Sequence, residues 1–327
     1  MKTEKINTVS GKELLEMDLP PIHFIVKDFL AQGLNIISGK PKIGKSWLLL
    51  LLCLKVAEGK PFLHYETERG TVLYLCLEDS YNRIQDRLLS LTEDAPENLH
   101  FAIMANSLST GLAEQIEMFI DDHPDTKLIV IDTLQKIREA SNDCSYASDY
   151  KDVGQLKSIG DQHNISIVCV HHTRKMSADD PHQMVSGTTG LVGAADCSYV
   201  LDRNDIQSSD AKFYIRGRDI EERVLNLHFN DETCEWEYVS GDTPVADCMK
   251  TDSVMNTIIQ YLYKDTYFCG TVTELIELLA LPVKSNVLSK KLNRYQPELK
   301  KLGIVFHKKR TGERRTIVLT YIPSMTV

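Results

Sequence analysis

Eight residues, Gly39-Lys40-Pro41-Lys42-Ile43-Gly44-Lys45-Ser46, constrain this chain more than any other stretch. They match G-x-x-x-x-G-K-[ST], a turn whose glycines let successive backbone N–H groups and the start of a helix wrap around phosphate oxygens. That meaning holds only between a strand and a helix. Both are expected here, a strand over 34–38 and a helix over 45–57. Strand, phosphate turn and helix in this order commit the chain to an α/β sheet that binds its ligand at the carboxyl ends of the strands.

The sequence up to residue 239 agrees. Short apolar runs at 71–77, 127–131 and 165–170 alternate with amphipathic stretches at 81–91, 113–122 and 150–163, the pattern of a mostly parallel central sheet with helices on both faces. Runs near 199 and over 213–216, 224–229 and 235–239 predict further strands, antiparallel, at a sheet edge. Residues 1–32 are expected to form an N-terminal linker or docking segment, 33–240 the phosphate-binding domain, and 241–252, which carries Gly, Pro and Asp, a linker. A second unit over 253–327 predicts three helices (253–264, 273–279, 285–295), a turn opened by Pro297, and two strand-like runs joined at Thr311-Gly312-Glu313. That is the outline of a small winged-helix domain.

Composition excludes several classes. With 43% hydrophobic and 25% charged side chains among 327 residues, the chain is neither collagen, coiled coil nor wholly disordered. Its longest apolar run, 47–54, falls far short of the ~20 residues of a membrane span, and residues 1–21 carry no apolar signal core. Neither export nor membrane insertion is expected. Eight cysteines occur without a C-x-x-C pair, and Cys53, Cys76 and Cys169 sit inside apolar runs, which fits a reducing, cytoplasmic setting.

The loop implies ATP and Mg²⁺ as ligands. Lys45 is expected to reach the β- and γ-phosphates and Ser46 to offer its hydroxyl to the metal, with Trp47 completing the nucleotide-binding stretch. A second acid is needed for the metal, and Asp132 closes the apolar run 128–131 at the edge where ligands bind. Glu78 closes the run 72–77 in the same way and is expected to polarise an attacking water. Asp79 is expected to cap the helix that follows.

The order of these features is carried by SGKPKIGKSW, VLYLCLEDS, KLIVIDTL, VCVHHTRK and GTTGLVGAAD. Over roughly 34–239 the chain resembles the RecA/DnaB-like ATPase superfamily and, more narrowly, the plasmid RepA-type hexameric replicative helicases and their relatives in phages and mobile elements. The resemblance implies a RecA-like P-loop NTPase fold and assembly as a homo-oligomer, up to a hexamer. It implies that His172 senses the γ-phosphate beside bound nucleic acid, although which of His171 and His172 does so depends on register. It implies that Arg216 and Arg218, in the spacing [KR]-x-R at the end of the run 213–216, reach into a neighbouring subunit's ATP site. It places Arg87, with Arg83 as the alternative, beside the adenine. The chain departs from RepA-type proteins in having no arginine within Ala194-Ala195-Asp196. By the same resemblance, 139–150 and 174–190 would face single-stranded DNA in a central channel, yet basic residues there are sparse: Lys136, Arg138, Arg174 and Lys175.

A net charge of −9 argues against nucleic acid until it is divided. Residues 249–327 hold 13 Lys+Arg against 6 Asp+Glu, or +7, which leaves −16 for the remainder. Lys290, Lys291 and Arg294 share a flank of the helix 285–295, and Lys308, Lys309, Arg310, Arg314 and Arg315 surround the hairpin tip. A helix in the major groove with a basic wing on the phosphates is the expected duplex DNA contact. The expected function is an ATP-hydrolysing helicase or helicase-like replication ATPase of a mobile element. A non-translocating, ATP-switched DNA-binding regulator or initiator is the rival, and a RecA-type recombinase the third reading.

Overall fold

The computed structural model describes residues 8–17, 19–138, 146–172, 180–184, 193–203, 208–241, 249, 251–311 and 314–326. The chain divides into two compact units, Pro20–Asp242 on one hand and Met1–Leu19 with Thr243–Val327 on the other. The first residues carry a short helix, α1 (Gly11–Glu16), closed by a reciprocal capping box between Ser10 and Glu13.

The larger unit starts earlier than the expected boundary at 33. A hairpin of β1 (Phe24–Val26) and β2 (Leu30–Ala31) belongs to it, because Ile25, Val26, Phe29 and Leu30 are buried in its core. Then follow β3 (Gly33–Gly39), α2 (Lys45–Glu58), β4 (Thr71–Cys76), α3 (Tyr81–Leu91), β5 (Leu99–Ala102), α4 (Leu112–Asp122), β6 (Thr126–Asp132), α5 (Tyr146–His163), β7 (Ser166–His172), β8 (Cys197–Asp202), β9 (Asp210–Gly217), β10 (Arg223–Asn230) and β11 (Glu235–Ser240). From β3 to β11 the strands form one nine-stranded sheet in the order β11-β10-β9-β8-β3-β7-β6-β4-β5. β5, β4, β6, β7, β3 and β8 run parallel, and β9, β10 and β11 continue antiparallel.

Two details differ from expectation. The run near 199 is β8, which lies parallel to β3 rather than antiparallel, since the long segment after β7 leaves room for the crossover that parallel pairing needs. β5, with the sequence LHFA, went unforeseen because it is short and interrupted by a polar residue.

Side chains alternate between two cores. Ile37, Tyr74, Val130 and Val170 face the one that contains α2; Ile36, Leu73, Ile129 and Cys169 face the one that contains α4 and α5. α2 is apolar almost all round, as a fully enclosed helix must be. It touches β4 and β6 in the parallel part and β11 at the far edge, so the antiparallel strands fold back over it.

The C-terminal unit contains α6 (Ser253–Asp265), β12 (Tyr267–Gly270), α7 (Val272–Leu279), α8 (Ser285–Arg294), α9 (Gln296–Lys301), β13 (Leu302–Thr311) and β14 (Arg314–Thr326). Its three strands pair antiparallel in the order β12-β14-β13 around a core that includes Met255, Ile258, Leu275, Leu288 and Leu299. The expected turn at Pro297 is the short helix α9. Proline in the first turn of a helix gives up an N–H that would have no partner there. Among the described residues, no helix is long and apolar enough to cross a membrane.

Candidate active site

Alternation and register bring the sequence candidates together. Gly39, Asp132 and His172 keep step with Ile37, Val130 and Val170, so they belong to the α2 face of the sheet. β3 pairs Gly39 with His172, and β4 pairs Cys76 with Asp132. Leu77 N–H then donates to the Asp132 carbonyl, carrying the chain on to Glu78. The same register separates the two histidines: His171 lies opposite Ser38 and is buried, while His172 lies level with the first residue of the loop.

The loop holds its shape through close approaches. Gly44, the N-cap of α2, has φ 98°, and a Cβ there would stand 2.8 Å from Cζ2 of Trp236. The indole Nε1–H of Trp236 donates to the Gly44 carbonyl at 3.1 Å. Lys45 is only 6% exposed, and its Nζ donates to the carbonyls of Gly39 (2.8 Å) and Lys40 (2.7 Å) where the loop begins. Burial lowers the pKa of Lys45 to about 8, against the attraction of Asp132 and Glu78. Lys40 also lies 3.5 Å from Asp202 at the end of β8.

Asp132 is the hub. Ser46 Oγ donates to its Oδ2 at 3.2 Å and the Tyr74 hydroxyl donates to the same oxygen at 3.1 Å. Burial pushes its carboxyl above the usual range; the two hydroxyls and Lys45 pull it back, and Glu78 adds to the rise. Two oxygen donors this close beside a phosphate cradle suit Mg²⁺, which keeps much of its shell as water and phosphate oxygen. Glu78 Oε1 accepts from Thr133 Oγ1 at 3.2 Å, so the residue after Asp132 orients the second acid. Among the described residues, His172 Nδ1 is buried with no hydrogen-bond partner. A ring nitrogen left so is costly, and a phosphate oxygen beside Gly39 would satisfy it.

Asp79 does not cap α3. Ser80, the residue directly before the helix, takes that position, and Asp79 instead binds Arg83 Nη1 at 2.7 Å and Arg87 Nη1 at 2.5 Å. The Arg87 guanidinium also lies 5.9 Å from the Trp47 ring centroid, so these two nucleotide candidates meet.

Arg216 and Arg218 lie apart from all this. β9 runs against β8, so Gly217 pairs with Cys197, and Cys197 pairs with Asn35 near the start of β3. The phosphate loop begins at the other end of β3, roughly 13 Å along the strands from Gly217 and about 10 Å from the level of Arg216. Arg216 donates to Asp180 Oδ2 (2.8 Å) and Glu222 Oε1 (2.5 Å). Arg218, with its side chain 55% exposed, donates to the Gly193 carbonyl at 2.9 Å.

In the C-terminal unit, Lys290 and Arg294 are exposed on α8 and Lys308 and Lys309 on β13. Lys291 is instead engaged with Asp252, the N-cap of α6. Arg294 lies 5.8 Å from the Tyr295 ring centroid. Arg310 pairs with Arg315 and Thr311 with Arg314 along the backbone ladder, and the side chains of these three arginines are outside the described residues. So are most of the channel candidates in 139–150 and 174–190, Arg174 and Lys175 among them.

Three contributors had no place in the sequence reading. Tyr74 carried a faint signal, a hydroxyl in an otherwise apolar strand with the same alternation as Glu78. Thr133 could have been suspected from standing beside Asp132. Trp236 gave none, since it is 192 residues from its partner.

Comparison with known proteins agrees with this fold. A family model described as an AAA domain matches residues 2–178, and one described as the AICE RepA C-terminal domain matches residues 254–326. A DnaB-like replicative helicase, solved in a study of its interactions with primase, has a similar fold at 15% identity and a TM-score of 0.54, over 73% of this chain and 68% of that one. So does another solved structure, of an isolated ATPase domain, at 15% identity and a TM-score of 0.53, over 64% of this chain and 85% of that one. No curated protein matches the sequence. Fold and site together define a RecA-like P-loop ATPase. The first family match covers more than half of the residues, and the chain belongs to the AAA domain family.

Proposed function

We propose that this chain is a Mg²⁺- and ATP-dependent helicase, or helicase-like replication ATPase, of a mobile element, acting on DNA as a homo-oligomer. The observation that carries the reading is the position of Arg216 and Arg218 at the end of the sheet opposite their own phosphate loop. Each site needs added positive charge as the phosphoryl group leaves, and a head-to-tail neighbour would bring these arginines to it. Within the site, Lys45 and the loop amides hold the phosphates, Glu78 takes the proton of the attacking water, and His172 donates to the γ-phosphate until it departs. Ser46 and Asp132 would hold Mg²⁺, which would supply neutralising charge there. The C-terminal unit acts as a winged helix, with α8 toward the major groove of duplex DNA and the β13–β14 hairpin toward the phosphates.

The test is the ATPase rate with and without single-stranded DNA, run beside a mass measurement of the nucleotide-bound assembly. An oligomer with a stimulated rate is expected; a monomer indifferent to DNA refutes the reading. Mixing Arg218→Ala with Glu78→Gln protein should restore hydrolysis at interfaces that unite an intact arginine with an intact glutamate. A second reading, the non-translocating ATP-switched regulator or initiator, is favoured by the concentration of basic charge in the C-terminal unit. It requires nucleotide-dependent duplex binding without strand displacement from a fork.

A further inference from the structure

α8 carries two unlike faces. Leu288 and Leu292 are fully buried and hold it against the rest of its unit. On the other side Asn286, Lys290 and Asn293 follow at i, i+4 and i+7 along one exposed line, with Val287 beside them at 39% exposure. Lys291 takes no part in that line, because it is held by Asp252. Asn286 Oδ1 accepts from the Val287 N–H at 2.9 Å in the first turn. Among the described residues the side chains of Lys290 and Asn293 have no hydrogen-bond partner.

A helix that only neutralised phosphates would need positive charge and little else, since phosphates carry no sequence information. This line mixes two carboxamides, one ammonium and one branched apolar side chain. Those are groups that tell bases apart in the major groove: a carboxamide on the adenine edge, an ammonium on guanine, a methyl against the thymine methyl. The sequence-blind part of the contact is available elsewhere in the unit, at the exposed Lys308 and Lys309 on β13. The excess of 13 basic over 6 acidic residues in 249–327 is complementary to a polyanion.

We propose that the exposed line of α8 reads a particular duplex DNA sequence, with Asn286, Lys290 and Asn293 on base edges and Val287 against a thymine methyl, while Lys308 and Lys309 hold the backbone. The inference rests on the C-terminal unit's being a duplex DNA binder, as proposed above. Its consequence is that the ATPase carries its own address on DNA.

The experiment uses the full-length protein. Duplexes with a randomised centre are selected for binding and sequenced, and the enriched and scrambled duplexes are then compared by fluorescence anisotropy across a salt series. One enriched motif is expected. Asn286→Ala and Asn293→Ala should each cut the preference for it by about tenfold, with the salt dependence and the thermal unfolding midpoint unchanged. Replacing Lys308 and Lys309 by Ala should weaken both duplexes alike and lower the slope of log K against log salt by about 2. Duplex binding with no enriched motif, or a motif whose preference survives both asparagine variants, overturns the base reading and leaves the DNA-binding role standing. Single strands or RNA outcompeting the duplex overturns it as well. Absence of salt-dependent binding to any duplex overturns the DNA-binding role and this inference with it.

Discussion

The two ends of this chain hold their functional groups in opposite ways. In the ATPase unit Lys45, Ser46, Tyr74, Asp132 and Thr133 are buried or half-buried and Glu78 is exposed, and they are tied to one another: Lys45 to the carbonyls of Gly39 and Lys40, Ser46 and Tyr74 to Asp132, Thr133 to Glu78. In the C-terminal unit Lys290, Arg294, Lys308 and Lys309 stand exposed on α8 and β13, while Lys291 is used to hold two helices together through Asp252. The contrast suits the sizes of the two proposed ligands. A triphosphate can be surrounded and shielded from water, which strengthens every charge around it. A duplex can only be met by a face, and each exposed contact is screened by salt. Damage to the first region should therefore be severe and local, and damage to the second graded and spread over many residues.

Substitutions can break that contrast or sharpen it. The largest effect is expected for Glu78→Gln, where loss of the proton acceptor should lower turnover about 10²- to 10⁴-fold in steady-state assays while nucleotide still binds. Normal turnover would remove Glu78 from its role. Lys45→Ala should weaken nucleotide binding about 100-fold, measured by titration with a fluorescent ATP analogue, because it removes charged hydrogen bonds to phosphate. Deleting 249–327 should leave nucleotide binding intact yet reduce duplex affinity and flatten its salt dependence, by ~0.9 in slope for each phosphate no longer neutralised. If the deletion abolished ATP binding instead, the two regions would not be separable. Smallest is Trp236→Phe, which keeps an aromatic ring but loses the bond to Gly44, and should weaken nucleotide binding about fivefold, the equivalent of ~1 kcal/mol.

Legibility in the sequence tracks the range of the interactions. The phosphate turn, its strand and its helix are local, and they stand where the spacing put them. Asp132 and Glu78 were legible because an acid closing an apolar strand is also a local pattern, and the parallel sheet then aligns strand ends without further instruction. Asp79 and Ser80 show where local rules blur: both residues can cap, and one position decided between them. The direction of β8 was not legible, because pairing partners are chosen by the whole chain rather than by a segment. Tyr74 and Trp236 were hidden for the same reason, since each meets its partner only after distant segments have met.

The bond from Trp236 to Gly44 also says something about the order in which the molecule matures. The turn that grips phosphate is made early in synthesis, whereas the indole that braces it lies on the last strand of the sheet, 192 residues later. Pairings of such separation form late, after shorter loops have closed. A nascent or prematurely terminated chain thus has its phosphate motif complete in sequence and still unbraced in space. Such a fragment should bind ATP poorly, so that nucleotide is captured mainly by molecules whose sheet has been closed to its final edge.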